Sequence, residues 1–330
     1  MTGEINAAIV GWGTAVPEGR LTNAELEARV ETSDEWIVER TGIRERRIAA
    51  PDETTASLGT AAAAEAIKSA GLAPTDIDLM IVATATPEQP LPHTGAFIGE
   101  ALGLRCGSFD LSAACAGFVY DIVIGSSMLQ TTYEHVLLVG AETLSRIVDP
   151  TDRTTTVLFG DGAGAAVLAR TEHEPGLLAW DLGCDGSAAG LLEIPAGGSR
   201  LPATPETIAK RQQYLKMAGQ EVFRRAVRIV VDSAKGTLER AGVLAEDVSW
   251  FVPHQANGRI IDAAADRLGF GNDRTLVNID RYGNTSSASI PLALFEAVDA
   301  GRVKAGDLVL CSGFGAGMTW ASALVRWGAR

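Results

Sequence analysis

Short apolar runs of strand length alternate along the chain with longer amphipathic stretches. In the first half LMIVATA (79–85) precedes the helical GAFIGEALG (95–103), SFDLSA (108–113) precedes CAGFVYDIVIGSSMLQ (115–130), and HVLLVG (135–140) follows. The second half repeats the order with VSWFVPH, the helical GRIIDAAADRLG, LVNID, the helical IPLALFEAVDAG and DLVLCSG. Such alternation predicts an α/β fold whose strands are buried on both faces.

The repetition extends to residue level, where it predicts an internal duplication. LAPTDIDLMIVAT (72–84) matches VLAEDVSWFVPHQ (243–255), ALGL (101–104) matches RLGF (267–270), and FGDGAGAAVLAR (159–170) resembles FGAGMTWASALVR (314–326). Polar residues and Pro175 mark a boundary near 172–176, giving halves 1–174 and 175–330. The Gly-, Ala- and Pro-rich stretch 185–207 reads as an excursion over a pocket.

Composition narrows the chemistry. The 330 residues include 28 Lys plus Arg against 41 Asp plus Glu, a net charge of −13 that repels polyphosphate and argues against a nucleic-acid partner. A hydrophobic content of 46% excludes a disordered chain. No run is long enough to span a membrane, and the N-terminal residues do not read as a signal peptide, so a soluble cytoplasmic protein is expected. Four cysteines at 106, 115, 184 and 311, without a C-x-x-C or a histidine at ligand spacing, predict neither a disulfide framework nor a metal site.

Cys115 falls where a strand gives way to a long helix. Free backbone N–H groups and the helix dipole at such a point are expected to lower the thiol pKa and make a nucleophile. Small neighbours (Ala113, Ala114, Ala116, Gly117) leave room for a substrate, although cysteine is also a common core residue. His254 and Asn284 both follow strand-like runs, where open α/β sheets gather their sites. Taken alone, the histidine also fits a structural role and the asparagine, beside Gly283, a turn. A cysteine with a downstream His and Asn matches acyl-transfer catalysis. The glycine-rich SGFGAGMTW (312–320) has neither phosphate-loop nor dinucleotide spacing, and suits either an oxyanion hole or a tight turn.

DLSAACAGF, VPHQAN, RYGNTSSASIP and SGFGAGMTWASALVRW, with ETSDEWIVERTGIRERR and FGDGAGA, together resemble the β-ketoacyl-acyl-carrier-protein synthase III family, the initiating condensing enzymes of the thiolase superfamily. The resemblance spans nearly the whole chain. It implies a thiolase-like fold, two duplicated α/β halves forming a five-layered α-β-α-β-α structure, in a homodimer. It implies Cys115 as the acylated nucleophile, His254 and Asn284 as the groups holding the malonyl thioester, and the N–H groups of Cys115 and Ala316 as the oxyanion hole. CoA enters as a thioester substrate, not as a resident cofactor. Its contacts would be Trp36 and Arg40, four apart on one helix face, with Arg153, Gly219, Phe223, Ala256 and Asn257 lining the tunnel.

The resemblance also implies malonyl-acyl carrier protein as second substrate. Arg224 and Arg228 share a helical face beside Arg225, with Arg259 nearby, as a docking patch for that acidic partner. Asp266 departs from the family's usual basic residue there, while Arg267 keeps a charge. Leu91, in TPEQPLPHTG, stands where the family often places an aromatic residue capping the partner subunit's acyl pocket, so a larger or branched primer is expected. Three other readings compete. A thiolase would need a second catalytic cysteine, for which Cys311 lies inside a strand-like run. An acyltransferase would pass the acyl group from Cys115 to an alcohol or amine. A noncatalytic chain-length subunit would lack the Cys115 motif.

Overall fold

The computed structural model describes residues 5–328. Among these are nine strands of four or more residues: β1 (Ala7–Ala15), β2 (Leu79–Ala83), β3 (Gly107–Leu111), β4 (His135–Thr143), β5 (Asp161–Arg170), β6 (Leu177–Cys184), β7 (Trp250–Pro253), β8 (Leu308–Gly315) and β9 (Thr319–Arg326). Seven α-helices of eight or more residues accompany them: α1 (Asp34–Thr41), α2 (Thr55–Ser69), α3 (Thr94–Leu102), α4 (Gly117–Met128), α5 (Gly219–Ala241), α6 (Gly258–Leu268) and α7 (Ser289–Asp299).

The N-terminal sheet runs β1-β5-β4-β2-β3 and the C-terminal sheet β6-β9-β8-β7, so corresponding strands occupy corresponding places. Parallel pairing of β2 with β4 is repeated by β7 with β8, and the antiparallel hairpin-like pairs β4–β5 and β8–β9 repeat as well. LVNID departs from expectation. Where the first half has β3, the second half keeps only a bridge from Phe251 to Thr275. The chain then leaves the sheet because Gln255 takes over its hydrogen bonds: its side chain reaches Leu276 O (3.2 Å) and accepts the Asn278 N–H (3.0 Å).

Side-chain alternation builds the layers. Along β2, Leu79 and Ile81 face a central core shared with Phe118, Ile122, Leu294 and Phe295, whereas Met80 and Val82 face an outer core with Ala62, Ala66 and Ile98. In the second half Val309 and Cys311 face the same centre, and Leu310 and Phe251 face α5 and α6. The central helices α4 and α7 therefore lie between the two sheets, with α2 and α3 outside one and α5 and α6 outside the other, which is the five-layered arrangement of a thiolase-like fold. Each Leu, Ile or Phe fully removed from water contributes roughly 1.5–3 kcal/mol.

Position in the layers explains helix composition. The flanking α5 is amphipathic, burying Val222, Ala226, Val230 and Ala234 on one stripe. The central α4 is apolar around most of its circumference. Both β3 and the loop before α3 end at the open margin of the N-terminal sheet, where β3 pairs with β2 alone among the described residues.

Candidate active site

Cys115 lies in a single 3₁₀ turn, Ala114–Ala116, between the end of β3 and the start of α4. Ala114 holds φ at +46°, a left-handed conformation that costs a non-glycine residue roughly 1–3 kcal/mol and here turns the chain sharply enough to present the next side chain. The turn packs against β8, where an added Cβ at Gly315 would stand 2.6 Å from the Cys115 nitrogen.

The expected lowering of the thiol pKa is overturned. Burial above all brings the Cys115 thiol up to about 12, with the Ser286 hydroxyl opposing the rise and the buried Glu142 carboxylate adding to it. Desolvation of the charged form outweighs the helix terminus. Cys311 is fully buried in β8 and is likewise raised to about 12 by burial. It lies in the central core, away from the cavities described next.

Two cavities meet at the nucleophile, and a third adjoins one of them. One of about 380 Å³ runs from Cys115 between apolar walls that include Leu144, Ile147, Leu215 and Ala316. A second, about 160 Å³, joins Cys115 to His254, Asn284, Phe223 and Asn257. Phe223, Gly219 and Asn257 also belong to a wider mouth of about 580 Å³ rimmed by Trp36, Arg40 and Arg259. Together they form a channel from the surface to the thiol, continuing into a pocket with largely apolar walls. The 185–207 excursion covers that pocket with Leu192, Glu193 and Ile194. Asp149 anchors the chain just after the excursion by accepting two hydrogen bonds from Arg211 (2.6 and 2.5 Å), which hold its carboxyl well below the usual range.

His254 follows β7 and donates its backbone N–H to Ser312 O (2.8 Å) on β8. The ring is 2% exposed, touches Phe314 edge-on at 5.7 Å, and is lowered by burial to about 3, so it is neutral at physiological pH. Asn284 is pinned to the segment before β5, donating its N–H to Leu158 O (2.8 Å) and accepting from the Gly160 N–H (3.0 Å). Gly283, at φ +66°, permits this approach, since a Cβ there would lie 2.8 Å from Leu158 O. The Ser286 N–H donates to Asn284 Oδ1 (2.9 Å), which turns the amide NH₂ away from that contact as a donor to the channel.

The remaining expected residues spread along the channel. Trp36 is flanked by two guanidiniums, Arg153 at 5.3 Å and Arg40 at 6.0 Å from its ring centre. Asn257 caps α6 by accepting the Arg259 N–H (2.9 Å) and donates to Arg40 O (2.9 Å), tying the two rims of the mouth together. Ala256 lines the inner channel. Arg259 lies over Phe223 at 5.5 Å, Arg224 pairs with Glu221, and Arg228 is exposed on the same helix. Leu91 is 83% exposed and does not line any of these three cavities.

Sequence reasoning missed Glu142 and the serines after Asn284. Glu142 is fully buried, accepting from Thr86 Oγ1 (2.6 Å) and the Ala85 N–H (3.1 Å), with Ser287 Oγ 2.9 Å away. It thereby ties the wall of the apolar pocket to the Asn284 segment. An acid at the end of the apolar HVLLVGAET was the available signal. Among the described residues no three His, Cys, Asp or Glu side chains are grouped to hold a metal, and no helix is long and apolar enough to cross a membrane.

Residues 109–186 match the family described as 3-oxoacyl-[acyl-carrier-protein (ACP)] synthase III, and residues 238–327 match its C-terminal region. A β-ketoacyl-[acyl-carrier-protein] synthase III from Symbiobacterium thermophilum is 52% identical over 322 residues, covering 97% of this chain and 98% of that one. Among solved structures, the synthase III of Thermus thermophilus superposes with a TM-score of 0.91 at 45% identity, over 98% of this chain and 100% of that one. The priming β-ketosynthase of the R1128 polyketide pathway gives a TM-score of 0.91 at 39% identity, over 99% and 98% of the two chains.

Proposed function

The chain belongs to the β-ketoacyl-acyl-carrier-protein synthase III family, acyltransferases that begin acyl chains by condensation, and on that premise we propose how its residues divide the reaction. Cys115 takes the acyl group of an acyl-CoA: the new bond is Cys115 Sγ to the acyl carbon, the bond broken is that carbon to the CoA sulfur, and the Cys115 proton leaves with CoA as its thiol. The acyl chain lies in the apolar pocket, which Cys115 shares with the channel. The N–H groups of Cys115 and Ala316 receive the tetrahedral oxyanion.

CoA departs and malonyl-acyl carrier protein enters the same channel. Loss of carbon dioxide leaves an electron pair on the thioester as an enolate, stabilised by His254 and Asn284 as two hydrogen-bond donors. The carbanion attacks the acyl-Cys115 carbonyl, the thiolate leaves and takes up one proton, and a 3-oxoacyl carrier protein is released. The observation carrying this reading is the convergence of one thiol, two neutral donors and a pocket with largely apolar walls on one channel. It favours condensation over transfer to an alcohol or amine, because an acceptor hydroxyl or amine must lose a proton and the neutral, donor-oriented site offers no evident base.

Around the channel mouth, Trp36 with Arg40 and Arg153 forms the nucleotide-binding end for CoA. Arg224, Arg228 and Arg259 supply the positive field for an acidic carrier protein, although Glu221 offsets Arg224. A homodimer forms across the open edge of β3, where Phe97 and Phe109 are each 39% exposed and Leu91 more so. That pairing carries Leu91 toward the partner's acyl pocket, and Leu91→Phe is then expected to shift primer preference to shorter chains. The setting is cytoplasmic. Separate assay of the half-reactions tests the division of labour. Asn284→Ala is expected to keep acyl transfer from acyl-CoA within about threefold and to cut decarboxylation of malonyl carrier protein by about 10²-fold or more. Equal losses in both halves would overturn it.

A further inference from the structure

The proposed enolate-binding role requires His254 to present a proton on Nε2, the nitrogen away from its buried hydrogen bond. The neutral ring carries only one proton, so something must keep it off Nδ1. The neighbour of Nδ1 is Ser289 Oγ at 2.6 Å, the first residue of α7. Both side chains are buried, at 2% and 1% exposure, so no solvent corrects a wrong arrangement.

Ser289 Oγ has a second partner. The Gln255 backbone N–H points at it from 3.3 Å, and a backbone N–H can only donate. That N–H is held in place because the Gln255 side chain is anchored at Pro253 O (2.7 Å), Leu276 O (3.2 Å) and the Asn278 N–H (3.0 Å). Ser289 therefore accepts from Gln255, and its own proton needs an acceptor. His254 Nδ1 is the acceptor that the local hydrogen bonding supplies. Were Nδ1 protonated, two N–H donors would converge on Oγ and the serine proton would be left unpaired in a buried site, which is unfavourable.

We infer that Ser289 is a positioning residue for the condensation, using the order Gln255 N–H to Ser289 Oγ–H to His254 Nδ1 to fix the ring proton on Nε2 toward the channel. Asn284 is fixed by the same logic, its Oδ1 occupied by the Ser286 N–H so that its NH₂ faces inward. Two serines three residues apart thus set both donors. Decarboxylation breaks the malonyl C–C bond and moves its electron pair to the thioester oxygen without moving a proton. A donor already protonated is what that step needs, and a proton acceptor at Nε2 would oppose it.

The inference rests on the functional reading above, and its test separates the two. The chain has four histidines, so long-range ¹H–¹⁵N spectra of ¹⁵N-histidine-labelled wild type, assigned with His254→Asn, resolve the two ring nitrogens of His254 without any substrate. A pyrrole-type Nε2 and an imine-type Nδ1 are expected. A protonated Nδ1 would overturn the inference. Ser289→Ala is expected to lose the single-tautomer signature and to slow malonyl decarboxylation roughly tenfold while acyl transfer to Cys115 stays within about twofold. Unchanged decarboxylation in that variant would also overturn it. A wild type with Nε2–H that never decarboxylates malonyl carrier protein would instead overturn the functional reading and leave the hydrogen-bond order standing.

Discussion

Gly315→Ala tests whether the fit between β8 and the Cys115 turn sets the rate of acyl loading. Gly315 has φ −161°, an extended conformation open to any residue, so space alone decides the effect. An alanine Cβ would meet the Cys115 nitrogen at 2.6 Å, Ala114 Cβ at 2.8 Å and Cys115 Cβ at 3.2 Å. Reaching the ordinary 3.4 Å contact requires the turn to retreat by about 0.8 Å. Backbone on both sides leaves no flexible side-chain end to absorb that movement. Overpacking of this kind costs about 1–3 kcal/mol of stability, which a domain of this size survives. Catalysis should suffer more, because the shift moves both the nucleophile and a proposed oxyanion donor, and a misplacement near 1 Å costs about 10²-fold. The assay is single-turnover acylation from acyl-CoA followed by intact mass, with a thermal melt alongside. Gly190→Ala, where an added Cβ meets nothing within 4 Å, is the control and should load at the wild-type rate. A folded Gly315→Ala variant that loads within about threefold of wild type would refute the reasoning.

Trp36→Ala removes the ring that Arg40 and Arg153 flank, and should raise KM for acyl-CoA about 5–30-fold with kcat little changed, read from initial rates. Asp149→Asn breaks the latch to Arg211; because the Arg211 end is 44% exposed and screened, a modest drop in the chemical-denaturation midpoint is expected. The carboxyl is held below its ordinary value, so this stability is fully present above the unfolded value near 4 and is lost as pH falls below it. The difference between variant and wild type should therefore be largest at neutral pH and shrink below about pH 4. Loading of Cys115, whose thiol is raised to about 12, should speed up by up to about tenfold per unit from pH 6 to 9, as the thiolate fraction grows; a plateau beginning below pH 7 would contradict the burial argument.

Much of the fold could be read from the chain because the duplication is written twice. A strand buried on both faces leaves an apolar run, and LMIVATA and DLVLCSG both show it. LVNID misled because its composition suits a strand, while a tertiary partner, the Gln255 side chain, takes its backbone groups instead. The candidate residues were legible where chemistry needs a distinctive side chain, as with Cys115, His254 and Asn284. Residues acting through those three were not. Ser286 and Ser289 look like turn and helix-start serines, and their meaning comes from contacts, one to Asn284 Oδ1 and one across 35 residues to His254. The thiol pKa was misjudged for a related reason: a helix N-terminus is visible in sequence, whereas the burial that outweighs it is not.

The central claim is that Cys115 carries the acyl group between two thioesters. It is tested most directly by intact-protein mass after exposure to a panel of acyl-CoAs, with Cys115→Ala alongside, followed by malonyl-acyl carrier protein. The account predicts an acyl adduct that requires Cys115 and is discharged as carbon dioxide and a 3-oxoacyl carrier protein appear. An adduct retained in Cys115→Ala, or one that survives malonyl carrier protein without carbon dioxide release, would contradict it.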